Sequence, residues 1–405
     1  MTYKETLDWM FSKLPMYQRQ GKTAFKKDLT NTLALSHHLH NPHLQFKSIH
    51  VAGTNGKGST SHMIASILQE AGYNVGLYTS PHLKDFRERI KVNGKPVAKQ
   101  SVTNFIKRNK LFLEKQQLSF FEMTVGMAFD HFAKEQVDIA VVEVGLGGRL
   151  DSTNIILPDV SVITNIGYDH VQMLGETLPE IAYEKAGIIK EGIPVVISEK
   201  QKEVHDIFLK VAREKNAPIS YAEDEVKKIY KSDLLGNYQQ KNSRAAVQTI
   251  KELKNKGYKI SENNIKTGLL NVVKNTGLLG RWQVIQDTPK IICDSAHNKE
   301  GLTHVLAQLK DLPYKILHII LGTVNDKDLD TILPLFPKNA IYYFCKPDIP
   351  RGLDAKTLQE KAANFSLKGS TYSSVIEALN IAKNKAHKDD IIFVGGSTFV
   401  VAEVV

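Results

Sequence analysis

Short runs of apolar, β-branched residues alternate along this chain with stretches whose apolar positions recur at helical spacing. The runs at 48–52, 75–79, 137–144, 159–166 and 193–198 read as strands. The stretches 57–71, 101–115, 122–135 and 178–189 read as helices, and helical patterns also fill 237–256 and 261–273. Alternation of this kind predicts a parallel sheet covered by helices. A second series begins near Lys290, with strands at 290–294, 315–321, 340–345 and 390–395. Its helices fall at 299–311, 354–364, 373–386 and 397–404. Between the two series, Asn275 to Pro289 contains Gly277, Gly280 and Pro289 and breaks both periodicities. The expectation is an α/β protein with a large domain built on a mostly parallel sheet over 1–280. A linker at 281–289 and a smaller Rossmann-like domain over 290–405 follow. Ligands in such folds sit at the carboxyl ends of the strands.

Composition adds little that is unusual. A chain of 405 residues with 42% hydrophobic and 24% charged positions is of ordinary globular make-up and too long for one core. Lys and Arg outnumber Asp and Glu by 53 to 43, a net charge of +10 that suits an anionic partner. The charge alone does not choose between nucleic acid and a small polyanion, and a lysine-rich solvated surface explains most of it. No dense basic run interleaved with aromatics is present, so nucleic acid is not expected as a partner. The two cysteines, Cys293 and Cys345, make no disulfide framework, and a reducing cytoplasm is the expected compartment. The N-terminal stretch mixes Glu5 and Asp8 with Lys4 and Lys13, unlike a signal peptide, and no run of about 18 apolar residues predicts a membrane span.

The candidate chemistry begins at Gly53-Thr54-Asn55-Gly56-Lys57-Gly58-Ser59-Thr60, directly after the apolar stretch Ile49–Ala52. Glycines here let backbone N–H groups approach phosphate oxygens, and the following helix turns its positive end to the same place. Lys57 adds a cation, and Ser59 and Thr60 offer hydroxyls to a phosphate-bound magnesium. The usual phosphate loop has four residues between its first glycine and the Gly-Lys pair. Here only Thr54 and Asn55 separate Gly53 from Gly56, and Gly58 follows Lys57, so a glycine-rich connecting turn stays open as the competing account.

Other polar residues fall where strands should end. Val141-Val142-Glu143-Val144 runs into Gly145-Leu146-Gly147-Gly148-Arg149, and a carboxylate there needs a metal ion or a salt bridge. The next strand runs into Thr164-Asn165-Ile166-Gly167-Tyr168-Asp169-His170, so His170 and Glu143 could converge on one cation. A lone histidine is as readily a hydrogen-bonding structural residue. His37, His38, His40 and His43 cluster around the turn Asn41-Pro42 and read as surface residues.

At this point the chain resembles the folylpolyglutamate synthase/dihydrofolate synthase family of the Mur ligase superfamily, including its bifunctional members. The matching pieces are His50–Ser59, Thr79-Ser80-Pro81-His82-Leu83, Glu88-Arg89-Ile90, Glu143–Asp151 and Glu184-Lys185-Ala186-Gly187-Ile188-Ile189-Lys190. Asn242, Gly280-Arg281 and Asp294-Ser295-Ala296-His297-Asn298 complete a set spanning nearly the whole chain. The shortened phosphate loop is normal for this superfamily. The resemblance implies a P-loop nucleotide domain, ATP and Mg2+ as cofactors, and ATP-dependent addition of L-glutamate to dihydropteroate, to reduced folates, or to both. The carboxylate takes the γ-phosphoryl group as an acyl phosphate, which the glutamate amine then attacks.

Residue by residue, the resemblance implies that Gly53 to Thr60, with Asn242, Arg281 and Asp294, bind ATP, and that Lys57 stabilises the transferring group. It implies Ser59, Ser80, Glu143 and His170 as magnesium ligands, and His297 and Ser397 beside the incoming glutamate. Glu143, His170, Lys185 and His297 join Lys57 as the implied catalytic set, and Lys185 matches a position that carries a lysine carbamate. Phe120, Phe121, Glu122 and Thr124, with Leu150, Asp151 and Ser152, match segments that line the pterin or folate pocket. The chain departs from the family pattern at Met16–Gly21, at Ser152 where Ala is frequent, at Tyr238 where His is frequent, and at Ser295 where Gly or Val is usual. Those departures bear on substrate preference. A monomer is expected. The competing readings are a monofunctional synthase of either kind, another Mur-type amino-acid ligase, and a nucleotide-dependent switch without ligation.

Overall fold

The computed structural model describes residues 1–14 and 28–405, so the departure at Met16–Gly21 lies outside the described residues. The chain divides into two compact units, 1–233 with 240–277 and 234–239 with 278–405. Among the described residues the first unit carries an eight-stranded sheet and the second a six-stranded one.

In the first unit the strands are β1 (Lys47–Ala52), β2 (Val75–Tyr78), β3 (Ile90–Val92), β4 (Lys95–Pro96), β5 (Ile139–Glu143), β6 (Val160–Ile163), β7 (Val195–Ile197) and β8 (Ile219–Tyr221). Their order across the sheet is β4-β3-β2-β5-β1-β6-β7-β8. From β2 to β8 every pairing is parallel, while β3 and β4 add an antiparallel edge. β1 is buried at five of its six positions, as a central strand covered on both faces must be. Its register pairs Val51 with Glu143 on one side and Ala52 with Ile163 on the other.

Helices cover this sheet through clusters of buried side chains. On one face, the helices Tyr3–Lys13, Lys99–Lys115 and Phe120–Lys134 contribute residues such as Met10, Phe105, Phe129 and Phe132. Each fully buried side chain of that size is worth about 1.5–3 kcal/mol. Another cluster gathers Ile163, Ile181, Ile197 and Phe208 with the helices Leu178–Ala186 and His205–Glu214. Helix Lys57–Glu70 packs against helix Glu262–Leu270 so closely that a Cβ on Gly268 would stand 2.5 Å from Ile67 Cα. The helical pattern at 261–273 is in fact two helices, Glu262–Leu270 and Val272–Thr276, broken at Asn271.

The second unit holds β9 (Gln283–Asp287), β10 (Lys290–Cys293), β11 (Leu317–Leu321), β12 (Ile341–Cys345), β13 (Gly369–Tyr372) and β14 (Ile391–Gly395), in the order β13-β12-β11-β14-β10-β9. All pairings are parallel except β9 with β10. The segment 281–289, expected as a linker, is therefore mostly strand. Pro289 marked it as a break, yet a proline is compatible with an edge hairpin because it lies outside the ladder. Cys293 and Cys345 are buried free thiols. Among the described residues, no helix is long and apolar enough to cross a membrane.

Candidate active site

Strand order decides what meets at the carboxyl edge of the first sheet. β2, β5, β1 and β6 are consecutive neighbours. They lead respectively to Ser80, to Glu143, to the glycine-rich octet and to Thr164–His170. β5 and β6 do not touch; they flank β1. Glu143, the last residue of β5, is buried, Ser80 is half-buried two residues beyond β2, and Ser59 is buried in the first turn of helix Lys57–Glu70. His170 lies further from its strand, in a left-handed conformation (φ 51°) capping a short helix, with Nε2 3.8 Å from Asp169 Oδ2.

The octet is shaped as its composition requires. Gly53 has φ 143°, and a Cβ there would fall 1.8 Å from Thr164 Oγ1. Gly56 has φ 85°, and a Cβ there would fall 2.3 Å from Asn242 Oδ1, which places Asn242 directly on the loop. Thr54 N donates to Asn165 O (2.8 Å), Asn55 N donates to Asn165 Oδ1 (2.8 Å), and Thr164 Oγ1 donates to Asn55 O (2.6 Å). Thr164 and Asn165 thus brace the loop from β6. The sequence placed them at a strand end without assigning them that task. Gln201, which clasps Ile166 through both its amide atoms at 2.7 Å, gave no signal in the sequence.

Lys57 Nζ donates to Gly53 O (3.0 Å) and Thr54 O (3.1 Å). Lys185 reaches the same loop from the helix Leu178–Ala186, its Nζ donating to Gly53 O at 2.9 Å. Burial, then repulsion from Lys57, pushes its ammonium down to about 7 against the opposing pull of Asp169 and Asp151. This is a lysine with a large neutral fraction near neutral pH.

The residues fit a nucleotide and a divalent cation. The two glycines clear the backbone for phosphate oxygens, and the first-turn N–H groups of helix Lys57–Glu70 face the loop. Thr60 Oγ1 is buried with no hydrogen-bond partner among the described residues. Ser59, Ser80 and Glu143 are oxygen donors of the kind a hard cation takes, and His170 adds an imidazole.

The pocket segments divide. Phe120 is buried against Phe11 (5.4 Å) and Phe86 (5.9 Å), with the Arg89 guanidinium 5.3 Å from its ring centre. Glu122 is spent on a capping box with Ser119, and Thr124 Oγ1 donates to Phe120 O (2.7 Å). Phe121 packs on Gly145, where a Cβ would fall 2.2 Å from its ring, and on Tyr78. Asp151 is buried, and burial pushes its carboxyl up while four hydrogen bonds from Thr153, Gly145 and Leu146 oppose that. Ser152 is buried and Leu150 half-buried in the same loop. A neighbouring feature was missed as a site element. Glu88 accepts from Leu83 N, Lys84 N and Asp85 N (2.7–3.0 Å), and buried Arg89 donates to His82 Nδ1 (2.7 Å), fixing the loop that carries Ser80. His37, His38 and His40 are exposed and His43 is half-buried against Ser36.

In the second unit, Asp294–His297 follow β10 and Ser397 follows the adjacent β14. Asp294 is buried and accepts from Tyr238 OH (2.6 Å), Trp282 N (2.7 Å) and Ala296 N (2.8 Å). Tyr238 thereby belongs to this unit and orients Asp294. Ser295 Oγ donates to Gly280 O (3.0 Å), which ties Arg281 to the same loop. His297 Nδ1 lies 3.0 Å from Ser295 O, and Ser397 caps the helix Thr398–Ala402.

Residues 51–264 match the Mur ligase middle domain and 280–398 the Mur ligase glutamate ligase domain. The chain is 34% identical to the folylpolyglutamate synthase of Lacticaseibacillus casei, covering 100% of this chain and 98% of that protein. It is 31% identical to a probable bifunctional folylpolyglutamate synthase/dihydropteroate synthase of Haloferax volcanii, and covers 50% of that longer protein. Among solved structures, E. coli FolC in complex with DHPP and ADP superposes with a TM-score of 0.87 at 28% identity, covering 100% of this chain and 97% of that one. A bifunctional folylpolyglutamate synthase/dihydrofolate synthase with Mn, AMPPNP and L-glutamate bound superposes with a TM-score of 0.83 at 26% identity, covering 100% and 97%.

Proposed function

The chain belongs to the folylpolyglutamate synthase/dihydrofolate synthase family of Mur ligases, and from this we propose that it is an ATP-dependent ligase adding L-glutamate to dihydropteroate, to reduced folates, or to both. The observation that carries the assignment is the edge of the first sheet. Four neighbouring parallel strands deliver the phosphate loop, Ser80, Glu143 and the 164–170 segment, and Lys185 is hydrogen-bonded to the loop itself. A nucleotide switch needs the loop but not the rest.

In this proposal the γ-phosphoryl group passes to the acceptor carboxylate, giving an acyl phosphate, and the amine of glutamate attacks its carbonyl carbon. Phosphate then leaves as the amide forms. The chemistry asks for charge neutralisation and positioning rather than a covalent nucleophile. Gly53 to Thr60 and Asn242 cradle the phosphates, and Lys57 follows the transferring group. A magnesium ion held by Ser59, Ser80, Glu143 and His170 would neutralise the phosphate oxygens. Arg281 and Asp294 are assigned to nucleotide binding, and His297 and Ser397 to glutamate. Phe121, Leu150 and Ser152 line the pteridine pocket, with Phe120, Glu122, Thr124 and Asp151 shaping its wall. Residues 1–280 then carry the phosphate loop and the pteridine segments, and 290–405 carry the glutamate residues together with Asp294.

Lys185 takes a further role. Its neutral amine attacks carbon dioxide, the new C–N bond yields a carbamate, and the proton leaves to water. The side chain becomes an anion suited to a site that would hold magnesium. Mass measurement under bicarbonate that finds only free amine would remove this step. We place the protein in the cytoplasm as a monomer, where the buried thiols of Cys293 and Cys345 stay reduced.

The test supplies ATP, magnesium, glutamate and one acceptor at a time. Dihydropteroate should yield dihydrofolate, tetrahydrofolate should be extended, and ADP should appear only when acceptor and glutamate are both present. Activity with one acceptor alone would make the enzyme monofunctional. Silence with both, alongside turnover of another acceptor, would overturn the folate assignment. Lys57→Ala should abolish turnover in a folded protein.

A further inference from the structure

Beneath the turn that follows Glu143 runs a buried chain of polar side chains, two of which have no part in the ligation as derived so far. His50 sits within β1, wholly buried between Ile49 and Val51, which are buried as well. Its Nε2 lies 2.8 Å from Thr153 Oγ1, and that hydroxyl lies 2.5 Å from Asp151 Oδ1. Asp151 Oδ1 also accepts from Thr153 N (2.9 Å), and its Oδ2 accepts from Gly145 N (3.1 Å) and Leu146 N (2.9 Å).

The directions of these bonds follow from proton counting. Four donors converge on the two oxygens of Asp151 and favour its carboxylate against the opposing effect of burial, and as a carboxylate it accepts throughout. The single hydroxyl hydrogen of Thr153 is therefore committed to Asp151. A lone pair of that hydroxyl then faces His50, so the imidazole must carry its hydrogen on Nε2. Nδ1 is left buried and without a partner among the described residues, and an unpaired acceptor is the more tolerable way to leave it. An apolar residue would fill this place in the sheet at lower cost, since a buried imidazole must find partners. The chain of bonds ends on Gly145 and Leu146, at the turn entered from Glu143 through Val144.

We propose that His50 is a positioning residue for the ligation: donating through Thr153 to Asp151, it locks the turn at Gly145 and Leu146 and thereby the placement of Glu143. The kinetic side of this inference rests on the role given to Glu143 above; the hydrogen-bond relay does not.

Thr153→Val keeps the volume and deletes the linking hydroxyl, and His50→Leu deletes the donor. Each should raise the magnesium concentration for half-maximal turnover about tenfold, because both remove the bond between His50 and Thr153, and Thr153→Val removes the bond to Asp151 as well. The KM for glutamate should stay unchanged, and the double variant should be no worse than either single one. His50→Gln, whose amide nitrogen reaches the position of Nε2, should restore the wild-type magnesium dependence. Independently of turnover, long-range proton–nitrogen spectra of histidine-labelled wild-type protein should show His50 with its hydrogen on Nε2. A hydrogen on Nδ1 would overturn the relay whether or not the protein ligates folates. Unchanged magnesium dependence in variants folded by circular dichroism, or losses that add in the double variant, would also overturn the proposal. Wild-type silence with both acceptors would count against the proposed function alone, because the tautomer still judges the relay.

Discussion

Replacing Lys185 by methionine tests whether the fold holds this amine out of its charged form. The side chain is 4% exposed and its Nζ has Gly53 O at 2.9 Å as an acceptor. Burial and the charge of Lys57 lower it from 10.5 to about 7. Each pH unit between those values is worth about 1.4 kcal/mol, so carrying the ammonium in the native state costs about 5 kcal/mol. The sign is set by which state holds the proton. Above about pH 7 the native chain has released it, while the unfolded chain keeps it until about 10.5, so wild-type stability rises with pH across that window. Below it both states are protonated and the full penalty applies. Methionine has similar length and no charge. Lys185→Met should therefore be most stabilised relative to wild type at about pH 6, and the advantage should shrink by about 1.4 kcal/mol per pH unit above about pH 7. Urea unfolding in bicarbonate-free buffer measures this. The chain has two tryptophans, so Trp282→Phe leaves buried Trp9 to report on the first unit alone. A stability difference that stays constant with pH, or grows above neutrality, would refute the reasoning.

Three further outcomes follow from close contacts in the two units. Gly53→Ala puts a methyl 1.8 Å from Thr164 Oγ1 at φ 143°, so calorimetry should find ATP binding lost, and retained binding would deny the loop its shape. Gly268→Ala forces a methyl to within 2.5 Å of Ile67 Cα and should destabilise the first unit by about 1–3 kcal/mol, read as a lower urea midpoint. An unaltered midpoint would contradict the close helix contact. Tyr238→Phe removes the 2.6 Å hydrogen bond to Asp294 Oδ2 and should cost the second unit about 1–3 kcal/mol by Trp282 fluorescence; no loss would mean Tyr238 does not hold Asp294.

Legibility followed the range of the interactions. Strand β1, the octet and helix Lys57–Glu70 form one contiguous stretch, and their sequence pattern carries over into the fold with the helix starting at the expected residue. The capping box that opens helix Phe120–Lys134 is equally local, and it engages Glu122, a position that the family motif assigns to the pteridine pocket. A family motif marks a position without saying whether its side chain faces ligand or its own backbone. β9 hid behind Gly280 and Pro289, because turn residues bound an edge hairpin as they bound a linker.

By itself the sequence determined the alternation of strands and helices, the phosphate loop and the family, all written in short-range spacing or in residue identity. Only the tertiary structure decided that β5 and β6 flank β1, which carries Glu143 and the 164–170 segment to opposite sides of the loop. It alone spent the Asp151 carboxylate on the turn behind Glu143 and brought the Lys185 amine to Gly53 O. The physical reason is that strand order, burial and the field of a neighbouring charge arise between residues far apart in the chain. Lys185 reads as an ordinary surface cation until the fold surrounds it, takes away its water and sets Lys57 beside it.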